Sequence, residues 1–255
     1  MKKYITYIFL IIIVLKPAIG RNAGETEITT EEGIEVFQND KYYLLKKNVE
    51  ILSDEFNLRG QIVKIYFEKD LYDIKKIVAN DKVNFESDIN KINGYGEDVV
   101  IKMDEQEIII NGNNSKLYLE NTEMYSNGEI KVNNLKGSFF INGPESKLIS
   151  DGFYISGYKI DGSFEIINEK RDVSKLFVED DKEINIKTDD IIMYSKKAVY
   201  NKKNSIIELY ENVKINRENE IITGDYGIFN TEKKSYKVSS NNSKKVKAIL
   251  LNGNE

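Results

Sequence analysis

The sequence has no histidine, no cysteine and no tryptophan. Those absences remove Ser-His-Asp and Cys-His nucleophiles, thiolate and imidazole metal sites, the usual haem ligands and every disulfide. Proline is almost missing as well, with two residues, Pro17 and Pro144. Cationic surplus is also lacking: 37 Lys and Arg stand against 42 Asp and Glu. No region has the basic excess that holds a protein on nucleic acid, so nucleic acid is not an expected partner. No catalytic residue, metal or cofactor is expected. Only one long apolar run exists, at the N-terminus, which excludes a multispan membrane protein.

That run, Tyr4 to Leu15, follows Met1-Lys2-Lys3 and precedes Lys16-Pro17-Ala18-Ile19-Gly20. A basic start, a short apolar stretch and small residues at Ala18 and Gly20 describe a secretory signal over residues 1–20, cleaved after Gly20. The stretch is shorter than the roughly 20 residues of a spanning helix. A retained anchor, with Lys16 snorkelling to the surface, is the alternative. Residues 21–255 then form a single domain. Removing Lys2, Lys3 and Lys16 leaves 34 basic against 42 acidic side chains, a net charge of −8. An exported chain without cysteine must draw its stability from burial and backbone pairing.

What is present is alternation. Ile184-Asn-Ile186-Lys-Thr188, Phe164-Glu-Ile166 and Ile207-Glu-Leu209-Tyr-Glu-Asn-Val213-Lys-Ile215 place apolar residues on one face and Glu, Asn and Lys on the other. Turn-forming clusters punctuate these runs: Gln38-Asn-Asp40, Asn93-Gly94, Asn111-Gly112, Asn127-Gly128, Asn142-Gly143, Asp151-Gly152 and Asp161-Gly162. Asn-Gly and Asp-Gly steps between strand-like runs predict hairpins. At about 12 residues per strand and turn, the mature chain holds roughly 18 to 20 strands. The fold class is all-β, one elongated and mainly antiparallel domain.

The pattern also repeats. Asn48-Val49-Glu50-Ile51, followed by Gly60, returns as Asn212-Val213-Lys214-Ile215, followed at the same interval by Gly224. In the same register Glu68-Lys69 meets Glu232-Lys233, and Tyr72-Asp73-Ile74 meets Tyr236-Lys237-Val238. Weaker copies occur at Val83-Asn84-Phe85 and Val99-Val100-Ile101, and Ile109-Ile110-Asn111-Gly112 matches Ile221-Ile222-Thr223-Gly224. Hairpin units stacked along an axis bury a common core that no single unit buries alone.

Three segments carry a resemblance to a known family. They are Ile28 to Val63, with Lys47-Asn-Val49-Glu-Ile51 and Leu58-Arg-Gly60-Gln-Ile62; Ile74 to Gly112, with Ile77-Val-Ala79-Asn-Asp-Lys82-Val83; and Lys197-Ala198-Val-Tyr200 through Glu211-Asn-Val213, Thr223-Gly224-Asp225 and Lys244-Lys-Val246-Lys-Ala248. Over more than half of the mature chain they resemble the OstA-like (LptA) family of periplasmic lipopolysaccharide-transport proteins. Residues 113–177 depart from the family pattern and read as inserted repeats. The resemblance implies a twisted, open β-jelly roll of stacked antiparallel hairpins, located in the periplasm, that shields lipopolysaccharide or a related lipid in an apolar groove. It also implies pairing of strand edges, near Glu27 to Val36 and Val246 to Leu251, with related jelly rolls at the inner and outer membranes, and a head-to-tail homo-oligomer.

A carrier of this kind must cover hydrocarbon. At about 0.8 kcal/mol per methylene, one exposed 12-carbon chain costs roughly 10 kcal/mol. Parity, together with the family's inward positions, nominates Ile34, Val36, Val49, Ile51, Leu58, Val83, Phe85, Val99, Ile101, Val213, Ile215 and Ile222 as lipid-binding. An ordinary closed β core without a ligand has the same pattern. Arg59 and Arg217 are candidates for the lipid's anionic group, with solvated charge as the plainer reading.

Three rivals stand beside the carrier: a ligand-free β-solenoid structural or surface protein, a membrane-anchored jelly-roll component of the same system, and a glycosidase using two carboxylates. For the last, Glu179-Asp180-Asp181 and Asp189-Asp190 are the acidic clusters, and they read as solvated turns because neither has calcium-loop spacing.

Overall fold

The computed structural model describes residues 24–69, 73–150, 152–167, 170–188, 190–241 and 245–250. The leader, Tyr72, Asp189 and Leu251 lie outside them. Twenty strands and one short 3-10 turn, Lys202–Asn204, account for the secondary structure of the described residues. In chain order the strands are β1 (Glu27–Thr29), β2 (Ile34–Phe37), β3 (Tyr42–Leu52), β4 (Asn57–Phe67), β5 (Ile74–Ser87), β6 (Ile92–Lys102), β7 (Glu107–Asn111), β8 (Ser115–Leu119), β9 (Thr122–Ser126) and β10 (Glu129–Asn133). They continue as β11 (Ser138–Asn142), β12 (Lys147–Ser150), β13 (Phe153–Ser156), β14 (Lys159–Ile167), β15 (Lys170–Lys187), β16 (Ile191–Asn201), β17 (Ile206–Arg217), β18 (Glu220–Asn230), β19 (Ser235–Ser239) and β20 (Lys247–Leu250). All their pairings are antiparallel.

The pairings resolve into two sheets. One half of each long strand, β3 to β6 and β15 to β18, belongs to the first sheet and the other half to the second. The short strands between them belong to one sheet each. The first sheet runs β2, β3, β4, β5, β6, β7, β10, β11, β14, β15, β16, β17, β18, β19. The second runs β1, β3, β4, β5, β6, β8, β9, β12, β13, β15, β16, β17, β18, β20. With neighbouring strands about 4.8 Å apart, each sheet is roughly 60 Å long, while strand segments of about five residues make it only some 17 Å wide. This is an elongated β-jelly roll, folded along one long corner and with hairpin turns along the opposite side.

The corner explains the sequence repeat. Six junctions between long strands break register as the chain passes from sheet to sheet, at Lys46/Val49, Arg59/Ile62, Asn80/Val83, Glu179/Ile184, Tyr194/Lys197 and Tyr210/Val213. At three of these corners two consecutive residues adopt positive φ: Lys47 and Asn48, Asp81 and Lys82, Glu211 and Asn212. Left-handed backbone costs a non-glycine residue roughly 1–2 kcal/mol, and asparagine tolerates it best. The residue that follows is a buried valine, and a glycine lies opposite it: Val49 with Gly60, Val83 with Gly96, Val213 with Gly224. A Cβ on Gly96 or Gly224 would collide with Ile110 or Val238. The recurring Asn-Val and its glycine are thus one corner, built twice with asparagine and a third time as Lys82-Val83 with Gly96.

The Asn-Gly and Asp-Gly steps do less uniform work than the hairpin reading expects. Residues 38–41 do turn β2 into β3, and Gly152, at φ 85°, lies between β12 and β13. Asn111-Gly112, Asn127-Gly128 and Asn142-Gly143 are instead the corners where β7, β9 and β11 hand the chain to the other sheet. Gly112 and Gly143 have φ of 115° and 127°, which side chains rarely allow. Backbone N–H groups of Gly112, Asn127 and Gly143 donate to the carbonyls of Gly128, Pro144 and Tyr158 at 3.0, 2.9 and 2.9 Å, tying successive corners together. Asn93-Gly94 and Asp161-Gly162 turn nothing, since they lie inside β6 and β14. Their glycines face the interior and make room for rings, because a Cβ there would fall within the side chains of Phe85 and Phe139.

One apolar cluster runs the length of the roll, from Leu45 and Ile51 at one end to Leu209, Ile215 and Phe229 at the other. Outward faces carry polar side chains, among them Glu107, which is only 4% exposed. Burial alone would raise its pKa, but Lys102 and Lys131, each at 2.9 Å, and Asn133 outweigh that and hold it at about 2.

Two outcomes test this packing. Gly162→Ala forces Phe139 aside and costs roughly 1–3 kcal/mol in urea unfolding. Adding Phe139→Leu to that variant returns part of the loss, whereas additive losses would contradict the ring-and-glycine fit. Glu107 contributes stability above its unfolded pKa of 4.5 that disappears as pH falls through about 2. Wild type therefore exceeds Glu107→Gln by roughly 1–3 kcal/mol at pH 7, since solvent screens the partly exposed lysines, and the gap narrows between pH 4.5 and pH 2.

Candidate functional site

The candidate site is the space between the sheets. Directly opposed residues in antiparallel strands share a face, so the register shows which side chains point into it. Eight of the twelve nominated residues are buried there: Val49, Ile51, Leu58, Val83, Phe85, Val99, Val213 and Ile215. Ile101 and Ile222 are partly exposed. Ile34 and Val36 pair with Leu45 and Tyr43 and so face inward, yet they are 49% and 46% exposed. Parity gave their direction, but not their position on an edge strand at the end of the roll, where the second sheet does not cover them.

The buried eight touch protein rather than solvent. Facing rows of Ile, Val, Leu and Phe fill the interior, and an apolar void among Ile155, Leu176, Val178, Ile186 and Ala198 amounts to about 10 Å³. That is about the room of one water molecule, far short of an acyl chain. Two larger spaces lie along the open side, where the hairpin turns of the two sheets face each other. One, of about 430 Å³, opens near the N-terminal end between Phe56 and the pair Ile74 and Met103. Another, of about 630 Å³, opens in the C-terminal half between Phe153 and the pair Tyr200 and Phe229.

Continuous strands join the sheets at the corner; across the mouth, single side-chain contacts join them. Glu120, in the β8–β9 turn of the second sheet, lies close to the backbone N–H of Arg171 in the first. With Lys91 at 3.0 Å leading, these partners lower its pKa. At the far end Tyr236 of the first sheet donates to Glu220 of the second. Burial first, and then that carboxylate, push the Tyr236 phenol up to about 12. Lys75 on the first sheet's rim sits 3.2 to 3.4 Å from Glu68, Asp73 and Asp104, which raise its pKa.

The ends of the roll are edges. At the N-terminal end these are β1 and β2, and at the C-terminal end β19 and β20; none is paired on its outer side by another described strand. Ile249 and Leu250 are exposed at the C-terminal end, with Leu250 at 74%, as Ile34 and Val36 are at the other. The sequence marked β1, β2 and β20 as edges but missed β19, whose Tyr236-Lys237-Val238 had been noticed only as a repeat.

Charged residues singled out earlier prove to be paired. Arg59 lies on the outer face of β4 against Glu50 at 2.5 Å, and Arg217 ends β17 against Asp190 at 3.1 Å, so the two do not occupy equivalent places. Glu179-Asp180-Asp181 is not a turn but the corner of β15, with Glu179 3.3 Å from Lys159. Among the described residues no group of three carboxylates could hold a metal ion. No described helix is long and apolar enough to cross a membrane. Sequence reading overlooked Lys170-Arg171 at the mouth, although adjacent Lys-Arg beside a turn in an acidic chain is a visible signal.

No family model and no curated protein sequence matches the chain. Among solved structures, the chain is similar to LptH from Pseudomonas aeruginosa, described as the LptA-homologous periplasmic component of the lipopolysaccharide transport device. That match covers 89% of this chain and 94% of LptH, at 7% sequence identity and a TM-score of 0.24.

Proposed function

We propose that this protein is a periplasmic lipid carrier that shields the acyl chains of lipopolysaccharide, or of a related lipid, between its two sheets. One observation carries the reading. The sheets are joined by strands along one side only, so the other side can part without breaking a ladder. Interior faces that cover each other when the carrier is empty cover hydrocarbon when it is loaded. The nominated residues Val49, Ile51, Leu58, Val83, Phe85, Val99, Ile101, Val213, Ile215 and Ile222 line that space, and Ile34 and Val36 extend it at the N-terminal end. A carrier of this type is passive: no phosphate-binding glycine loop is present to couple it to nucleotide hydrolysis.

The exposed apolar ends and their unpaired edges support strand addition, head to tail, by another copy or by a related jelly roll on each membrane. The packed interior favours a second reading, a structural β-protein without a ligand.

A photo-crosslinker at Val49, Phe85 or Val213 separates the two. The carrier reading expects lipid captured from membranes at those positions and none at the outward Lys214; absence of capture at all three leaves the structural protein. Tyr236→Phe removes a clasp across the mouth, so it lowers stability by about 1 kcal/mol and speeds capture at Val213. In sedimentation, the wild-type protein forms concentration-dependent chains, and replacing both Ile34 and Val36 with lysine keeps it monomeric.

A further inference from the structure

The mouth space of about 630 Å³ has a polarity of its own. Its volume falls within the roughly 300–1,000 Å³ of small-ligand sites. Lys170, Arg171, Lys202 and Lys234 line it, against two carboxylates, Asp172 and Asp190. Both carboxylates already have cations: Asp172 pairs with Lys202, and Asp190 with Arg217, which stands outside the space. Among the described lining residues Lys202 is therefore spent on Asp172, while Lys170 and Arg171 supply positive charge at one place on the open side.

Arg171 stands out among these groups. It lies on the first sheet's projecting β14–β15 hairpin, two residues before the buried Val173, and alternation turns it toward the interior. Its Nε is shielded from solvent and finds no hydrogen-bond acceptor among the described residues. Burial lowers the pKa of this guanidinium, and the nearby Glu120 only partly offsets that. A desolvated guanidinium with an unused donor is a group that lacks an anion.

Below the cations the walls are apolar. Phe153 and Tyr200 meet edge to face with ring centroids 5.7 Å apart, and Phe229 and Ile207 complete the floor. Beneath them the core closes, as the 10 Å³ void shows. Charge at the rim and hydrocarbon surface at the floor match one chemistry.

We propose that this space is an entry site for an anionic amphiphile, with Lys170 and Arg171 holding its phosphate or carboxylate and Phe153, Tyr200 and Phe229 receiving the first methylenes of its chain. It deepens the lipid-carrier reading, on which it rests for the class of ligand, and adds a headgroup position at the mouth of the roll. Guanidinium binds such anions in a fork, and with Asp172 and Asp190 each held by a cation, Lys170 and Arg171 give net attraction.

Calorimetric titration of the full mature chain with dodecyl phosphate, below its micellar concentration, is the test. One saturable site is expected, weakened at least tenfold by Arg171→Gln and also by Lys170→Gln combined with Lys234→Gln, two exterior changes that spare the core if the first impairs folding. Rising salt weakens it further. Dodecyl maltoside, with the same tail and no charge, binds at least tenfold more weakly, and so does inorganic phosphate, with the charge and no tail. Equal binding by wild type and both charge variants overturns the site, as does dodecyl maltoside binding as tightly as dodecyl phosphate. Inorganic phosphate bound as tightly as dodecyl phosphate also overturns it, leaving a simple anion site. The carrier reading fails separately: charge-dependent binding of dodecyl phosphate without lipid capture at Val49, Phe85 or Val213 rejects transport through the interior and keeps the pocket. Capture there with unaltered dodecyl phosphate binding in the variants does the reverse.

Discussion

Everything in this structure depends on two narrow sheets covering each other's apolar faces. Among the described residues neither sheet has a helix to pack against, and the chain has no cysteine or histidine to staple it through a disulfide or a structural metal. A sheet of fourteen short segments would expose a strip of hydrocarbon about 60 Å long if left alone. Folding eight long strands through a corner brings the two strips together. The corner therefore receives the unusual backbone: paired left-handed residues before Val49, Val83 and Val213, and glycines where neighbouring strands come too close for a side chain.

The same device makes the two long sides of the roll unequal. Along the corner, the chain itself crosses from sheet to sheet in eight long strands, even where the ladders shift register. Along the mouth, the link from Tyr236 to Glu220 is a separate interaction, contributing about 1 kcal/mol or a little more. Separation is consequently cheapest at the mouth, and it is there that both sizeable apolar-floored spaces and the cationic group of Lys170 and Arg171 occur. A binding role and a stable closed core are compatible in this arrangement because the surface that binds is the surface that packs.

Much of this was legible along the chain. Alternation in Ile207-Glu-Leu209 and Ile184-Asn-Ile186 specified strands and their dry faces, and the estimate of 18 to 20 strands meets the twenty found in the described residues. The Asn-Val repeat and its later glycine specified a recurring unit. Glycine was harder to read. Asn93-Gly94 and Asn111-Gly112 are the same dipeptide, yet one is interior strand and the other a sheet-to-sheet corner. The difference lies in Phe85, which needs the space above Gly94 and comes from another strand.

What the sequence determined is the set of local properties: which residues alternate, which face is apolar, where the backbone can take a left-handed turn, and what chemistry histidine and cysteine are not there to perform. These follow from bonds and neighbours close along the chain. Only the tertiary structure decided that Ile34 and Val36 face inward yet remain exposed, that Arg59 and Arg217 are spent on ion pairs, and that Lys170 and Arg171 meet Phe153, Tyr200 and Phe229 across a gap. Those outcomes depend on which strands become neighbours and where each sheet stops, and residues far apart in sequence settle them together when they exclude water from a shared core.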